Sequence, residues 1–230
     1  MPYQKELIRY LQNNDILALK LEKALKGVAE TVSAKIDVIG SGFVRLSTYA
    51  TCFTTSYQGI CRQQGKEDYR FTQAIIILLR NESIFEKMLS IYFNELIKYK
   101  TYQQIEVIKK GLMAVNVYVA ASSLTNAVFA FGLASAVVLG ANLSIDISIL
   151  NKRYFVKALA AAGIYGIVQK AADSALRLKF ASPTYYNALY IMELEMLYFV
   201  IEPLFIRADA FSISSPSEQD IINIITKMVR

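Results

Sequence analysis

Between Lys110 and Asp146 the chain runs for 35 residues, GLMAVNVYVAASSLTNAVFAFGLASAVVLGANLSI, without a charged side chain. As one straight helix this stretch would reach roughly 52 Å, well past the hydrocarbon core of a bilayer at about 30 Å and longer than an ordinary core helix. Folded at its middle, it makes two helices of about 17 residues, near the shortest that cross a membrane. Lys98, Lys100, Lys109 and Lys110 precede it, and Lys152, Arg153 and Lys157 follow it. Basic residues at both ends favour a hairpin with both ends on one side of a membrane over a single crossing. The expected hairpin spans Gly111 to Ile145 through Phe129, Phe131, Gly132, Ala136 and Gly140, with Lys109, Lys110, Lys152 and Arg153 as its basic flanks.

Amphipathic segments surround this stretch. A short helix is expected over Tyr3–Gln12, and a longer one over Ile16–Ile39, where apolar residues recur on one side with Lys20, Glu22, Lys23, Glu30 and Lys35 elsewhere. Gly40-Ser41-Gly42 ends it. A softer helix over Phe43–Gln64 closes at Gly65, and Lys66–Arg80 follows. Ser83-Ile84-Phe85-Glu86 matches a capping box and opens a long helix to about Lys110, striped by Phe85, Met88, Leu89, Tyr92, Leu96 and Tyr99. Beyond the uncharged stretch a helix is expected from about Tyr154 to Phe180. Ser182-Pro183 then starts one over Thr184–Ile206 that Pro203 should end or kink. Ser215-Pro216-Ser217-Glu218 reads as a second capping box, launching a terminal helix to Met228. With no hairpin-turn signal for strands, the expected fold is all-α: a single bundle of about eight to ten helices around a central hydrophobic helical hairpin. Residues 1–110 supply the amphipathic helices, 111–150 the hairpin and 151–230 the C-terminal helices.

The residue types missing from the chain narrow its chemistry. It has no histidine, which excludes Ser-His-Asp triads, Cys-His dyads, HExxH zinc sites and histidine acid–base catalysis. No serine is followed three residues later by lysine, and no GxxxxGK[ST] loop occurs. Gly40-Ser41-Gly42 lacks the third glycine of a dinucleotide loop. Glu193 and Glu195 would point about 200° apart on a helix, so they cannot converge as a paired-carboxylate site. No catalytic, cofactor-binding or metal-ligating residue is assigned, and the chain is not read as an enzyme.

Charge points toward surfaces instead. Residues 1–110 hold 16 basic against 11 acidic side chains and residues 152–230 hold 9 against 7, with Asp146 alone between them, for a net charge of +6. Such a surface attracts anionic lipid, whereas no Lys/Arg cluster is dense enough for a nucleic-acid patch. Cys52 and Cys61 stand nine residues apart, out of bonding range if both lie on one helix, and are expected to be reduced and half-buried. The first residues, MPYQKELIRYLQNND, lack the apolar run of a signal peptide, so synthesis in the cytoplasm and export by a dedicated system are expected.

Within the uncharged stretch Gly132, Ala136, Gly140 and Ser144 recur every four residues, and Ala158, Ala162 and Gly166 repeat the pattern downstream. Such edges let helix backbones approach closely, both in lipid and inside a bundle in water. Asn116, Ser122, Ser123, Thr125, Asn126, Ser135 and Asn142 dilute the apolar run, as suits a segment that is stored buried before it meets lipid. Thr184–Ile206 is long enough to span a membrane, but Glu193, Glu195 and Glu202 within it would be costly there. Glu195 and Glu202, seven residues apart, share a helical face. Burial disfavours a carboxylate's charge, which makes them a candidate acid latch; the alternative is that each pairs with Lys or Arg across the bundle.

The arrangement of amphipathic helices around an uncharged hairpin, Gly111 to Ile145 between Lys109-Lys110 and Lys152-Arg153, resembles helical pore-forming toxins of the colicin type and small pore-forming effectors delivered between bacteria. In colicins the hairpin lies near the C-terminus, whereas here some 80 residues follow it. The resemblance implies a water-soluble bundle that opens on a membrane, inserts its hairpin and dissipates ion gradients without a cofactor. Its partners would be a lipid bilayer, anionic by the chain's charge, and a cognate immunity or chaperone protein. The alternatives are a soluble helical interaction protein that does not insert and a permanent membrane protein with two to three crossings.

Overall fold

The computed structural model describes residues 58–81, 83–119, 125–143 and 161–230. The helices expected before Gln58, together with Cys52, Ser144, Ile145, Lys152, Arg153 and Ala158, lie outside the described residues. Eight α-helices and one 3-10 turn make up the remainder, with no strand among the described residues. They are α1 (Gln58–Arg80), α2 (Ile84–Ile97), α3 (Tyr102–Ala114), α4 (Asn126–Gly140), α5 (Ala161–Ala181), α6 (Pro183–Ile191), the 3-10 turn Glu195–Leu197, α7 (Tyr198–Ala208) and α8 (Glu218–Val229). The fold is all-α, as expected.

Several boundaries differ from the sequence reading, each for a local reason. Gly65 ends nothing, because α1 runs straight through it. The long helix from Ser83 to about Lys110 is two helices, broken after Ile97. Thr101 caps α3 by accepting from the Gln104 backbone N–H, while the Gln104 side chain accepts from the Thr101 backbone. Ser83 does not close the expected box; its hydroxyl donates to Asn81 Oδ1 at 3.0 Å. At the other end of the chain the capping box is made by Ser217 and Asp220, two residues later than Ser215 and Glu218. Thr184–Ile206 is likewise interrupted at Glu193, and Pro203 sits inside α7 rather than ending a helix.

One device ends four of the helices. Asn116, Asn142, Glu193 and Asp209 take left-handed backbone angles, with φ between 50° and 63°. In each case the residue after them donates five positions back: Val117 to Leu112, Leu143 to Val138, Leu194 to Leu189 and Ala210 to Phe205. Each of those following residues is buried. The left-handed residue satisfies the last carbonyls, and the buried apolar neighbour anchors the turn. Asn and Asp tolerate this conformation well; Glu193 does so less readily.

Cys61 is disulfide-bonded and buried, not reduced and half-buried as expected. The spacing argument holds only for one helix through both cysteines, and Cys52 lies outside the described residues.

The core is centred on the run Leu194–Glu202, in which every residue is buried. Around it Tyr92 of α2, Tyr185 of α6, Phe205 of α7 and Phe211 form an aromatic cluster. Tyr185 stacks on Phe205 with centroids 5.6 Å apart, and Tyr92 meets Phe205 edge-on at 4.8 Å. The two tyrosines keep their hydroxyls paired in this apolar setting: Tyr185 donates to Met88 O at 3.0 Å and Tyr92 to Ala210 O at 2.9 Å. Burial pushes both phenols well above their ordinary pKa, so they remain neutral donors.

Candidate functional site

The uncharged stretch does not form two equal helices. Gly111–Ala114 is the last turn of α3, residues 120–124 lie outside the described residues, and α4 supplies one apolar helix of 15 residues. Asn116 and Asn142, expected only to dilute the stretch, are the left-handed stops that end α3 and α4. At 1.5 Å per residue α4 is about 22 Å long, short of a hydrocarbon core of about 30 Å. No helix among the described residues is long and apolar enough to cross a membrane.

α4 is apolar on all sides. Phe129, Gly132, Leu133, Ala134, Val137 and Val138 are buried, mostly against α2, its most extensive neighbour. Asn126 donates to the carbonyls of Ile97 and Lys98 at 3.1 and 3.3 Å, which places the start of α4 at the end of α2 and sets the two helices antiparallel. Asn126 is the one residue of α4 whose side chain hydrogen-bonds to another part of the bundle among the described residues, and α4 carries no ion pair. Dispersion and apolar burial hold it in place. Its outer face is apolar too: Val128, Phe131 and Leu139 are 41%, 51% and 72% exposed and occupy one helical sector, together with Ser135.

Of the residues expected to insert, Phe129 and Gly132 are buried, Ala136 is half-buried against the core, and Phe131 faces outward. Gly111, half-buried, and Gly140, exposed, play a different part, as both lie against α8. A methyl group at Gly140 would come 2.6 Å from Val229 Cγ1 and 2.9 Å from the Val229 carbonyl oxygen; one at Gly111 would overlap Ile222 Cδ1. Of the small-residue edge, Gly140 therefore seats a helix within the bundle, and Gly111, outside that edge, does the same on α3. Lys109 and Lys110 lie on α3, half-buried and exposed respectively.

Glu195 and Glu202 are both buried, and each is paired with an arginine across the bundle, which is the alternative weighed against the latch. Arg70 of α1 forks onto Glu195, with Nη2 at 2.8 Å from Oε2; it also donates to Tyr190 O at 2.6 Å and stacks 3.6 Å from the centroid of the Tyr190 ring. Arg177 of α5 forks onto Glu202 at 2.7 and 2.6 Å. The hydrogen bond to its glutamate is the largest influence on each guanidinium and raises its pKa, so both arginines remain fully charged. These forks pin the central run to α1 and α5.

Arg70 and Arg177 carried no pattern in the sequence that would match them to a particular glutamate. Thr101 did carry one, as Thr-x-x-Gln. Among the described residues no three His, Cys, Asp or Glu side chains gather as a metal site. No protein-family model, curated protein or solved structure matches the chain.

Proposed function

We propose that this chain is a membrane-active helical effector, stored as a bundle and engaging a lipid bilayer through the uncharged segment that contains α4. The observation that carries the reading is α4 itself: fifteen uncharged residues, apolar inward and outward, tied to the bundle among the described residues by the side-chain hydrogen bonds of Asn126 alone. An apolar outer face is costly in water and favourable at a lipid interface. The net charge of +6 adds attraction to anionic headgroups. Because α4 is shorter than the hydrocarbon core, insertion of a hairpin or formation of a pore would require the segments on either side of α4 to join it.

Incubation with dye-loaded vesicles of phosphatidylcholine and phosphatidylglycerol tests this reading. Association and leakage are expected; neither, at neutral pH and at about pH 4.5, near the carboxylate pKa values, would count decisively against it. A second reading is a helical interaction protein that never inserts. It is favoured by the seats at Gly111 and Gly140, which α8 fills and which give the small residues a purpose in close packing. Monodisperse protein that ignores vesicles would select that reading.

A further inference from the structure

We infer that α8 is the removable cover of the membrane-active segment, so that its release from Gly111 and Gly140 controls engagement. The inference rests on the membrane reading above and adds its regulation. α8 lies across α3 and α4 at both glycines: Ile222, near its middle, fills the space beside Gly111, and Val229, at its end, fills the space beside Gly140. Ile221, Ile222, Ile224, Ile225 and Met228 form its buried face, while Gln219, Asn223 and Lys227 face solvent. An amphipathic helix of this kind can leave its groove as a unit.

Its polar ties sit at its two ends. At the start, Lys100 Nζ donates to Pro216 O at 2.8 Å and Gln104 Nε2 to Glu218 Oε1 at 2.6 Å. At the far end, Arg207 Nη2 donates to Met228 O at 2.8 Å. Ser212 to Ser215, in the connection from α7, are exposed. Lifting α8 would therefore remove Ile222 from half-buried Gly111 and Val229 from Gly140, and uncover the part of α4 that α8 contacts, without breaking the Arg70–Glu195 and Arg177–Glu202 pins, which involve no residue of α8. The outer flank of α4 is already exposed and α2 holds its most extensive contact, so the departure of α8 would free the further part of α4 that α8 covers while α2 stays in place.

The test uses the full chain with Gly111→Val and Gly140→Val combined, read by amide hydrogen exchange and by flotation with vesicles of phosphatidylcholine and phosphatidylglycerol. Valine at Gly140 must displace backbone as well as side chain, so exchange in 218–229 should rise about ten-fold or more, while 195–204 keeps its protection. Vesicle association should rise in step. Ile222→Ala with Ile225→Ala loosens α8 without touching α3 or α4 and should act in the same direction, which keeps the inference testable if the glycine variants misfold. If exchange in α8 rises and association stays at the wild-type level, the cover is refuted and the membrane reading stands. Unchanged α8 exchange in both variants refutes the seat. If wild-type protein does not float, the membrane reading falls and the cover with it.

Discussion

Arg70→Met isolates Glu195, the most deeply buried charged side chain among the described residues. The Glu195 side chain is 2% exposed and that of Arg70 18%, so the variant leaves a carboxylate shut inside the bundle with its cation gone. Breaking a buried ion pair in this way costs about 3–5 kcal/mol. Arg70 also stacks on Tyr190, worth about 0.5–1 kcal/mol, but its partial exposure pulls the total toward the lower end. The expected loss is about 3 kcal/mol, or roughly 6–12 °C in Tm for a chain of this size. Adding Glu195→Met removes the stranded charge and should bring stability back to within about 1.5 kcal/mol of wild type, since apolar replacements of buried pairs are near neutral. The companion variant Arg177→Met should cost less, about 1–2 kcal/mol, because Arg177 is 57% exposed and water already screens that pair. Urea denaturation of the four proteins of the Arg70–Glu195 cycle, with Arg177→Met alongside, gives these differences directly. An Arg70→Met loss below about 1 kcal/mol, or a double variant no better than the single one, would refute the claim that this fork pins the central run.

Other consequences can be checked in parallel. Thr101→Ala removes the cap of α3 and should cost about 1 kcal/mol by chemical denaturation, with exchange rising first in the opening turn of α3. Leu133→Ala, at a fully buried position of α4, should cost about 2–5 kcal/mol; a loss below about 1 kcal/mol would mean that α4 is not integral to the core. Acid should loosen the start of α8 before the rest of the bundle. The pKa of Glu218 is lowered by its own backbone N–H and by Lys100, and that of Asp220 by the Ser217 hydroxyl and backbone, both in the folded state. Groups depressed on folding contribute stability above their unfolded pKa values, about 4, and lose it as pH falls through the lower folded values. Exchange in 218–222 measured below about pH 4 should therefore accelerate ahead of that in 195–204.

The helical class was legible because apolar periodicity recurs along the chain and strand-turn signals are absent. Helix ends were less legible, for identifiable reasons. Toward Thr101 the spacing of Phe85, Met88, Leu89 and Tyr92 continues to Tyr99, yet Tyr99 is 86% exposed, and the cap at Thr101 overrides the periodicity. Near the C-terminus two overlapping Ser-x-x-acid patterns compete, and Ser217–Asp220 forms the box. Asn116-Val117, Asn142-Leu143 and Asp209-Ala210 share a readable pattern, a residue tolerant of left-handed angles followed by an apolar one; Glu193-Leu194 does not, because glutamate seldom takes that conformation. The buried glutamates could be suspected from their apolar surroundings. Their partners could not: Arg70 lies 125 positions from Glu195, a distance only the fold closes. Gly140 stood out in the small-residue pattern and Gly111 as the start of the uncharged stretch, but whether they meet lipid or Val229 and Ile222 depends on where α8 returns.

The most direct measurement is flotation of the purified full chain with vesicles of phosphatidylcholine and phosphatidylglycerol, comparing wild type with Val128→Ser, Phe131→Ser and Leu139→Ser combined. Those three side chains are exposed, so their replacement should leave folding nearly unchanged while removing the apolar outer face of α4. Wild-type protein is expected to float with the vesicles, with the triple variant reduced by about ten-fold or more. Wild-type protein that stays at the bottom of the gradient, or a triple variant that floats as well as wild type, would contradict the assignment of α4 as the lipid-facing element.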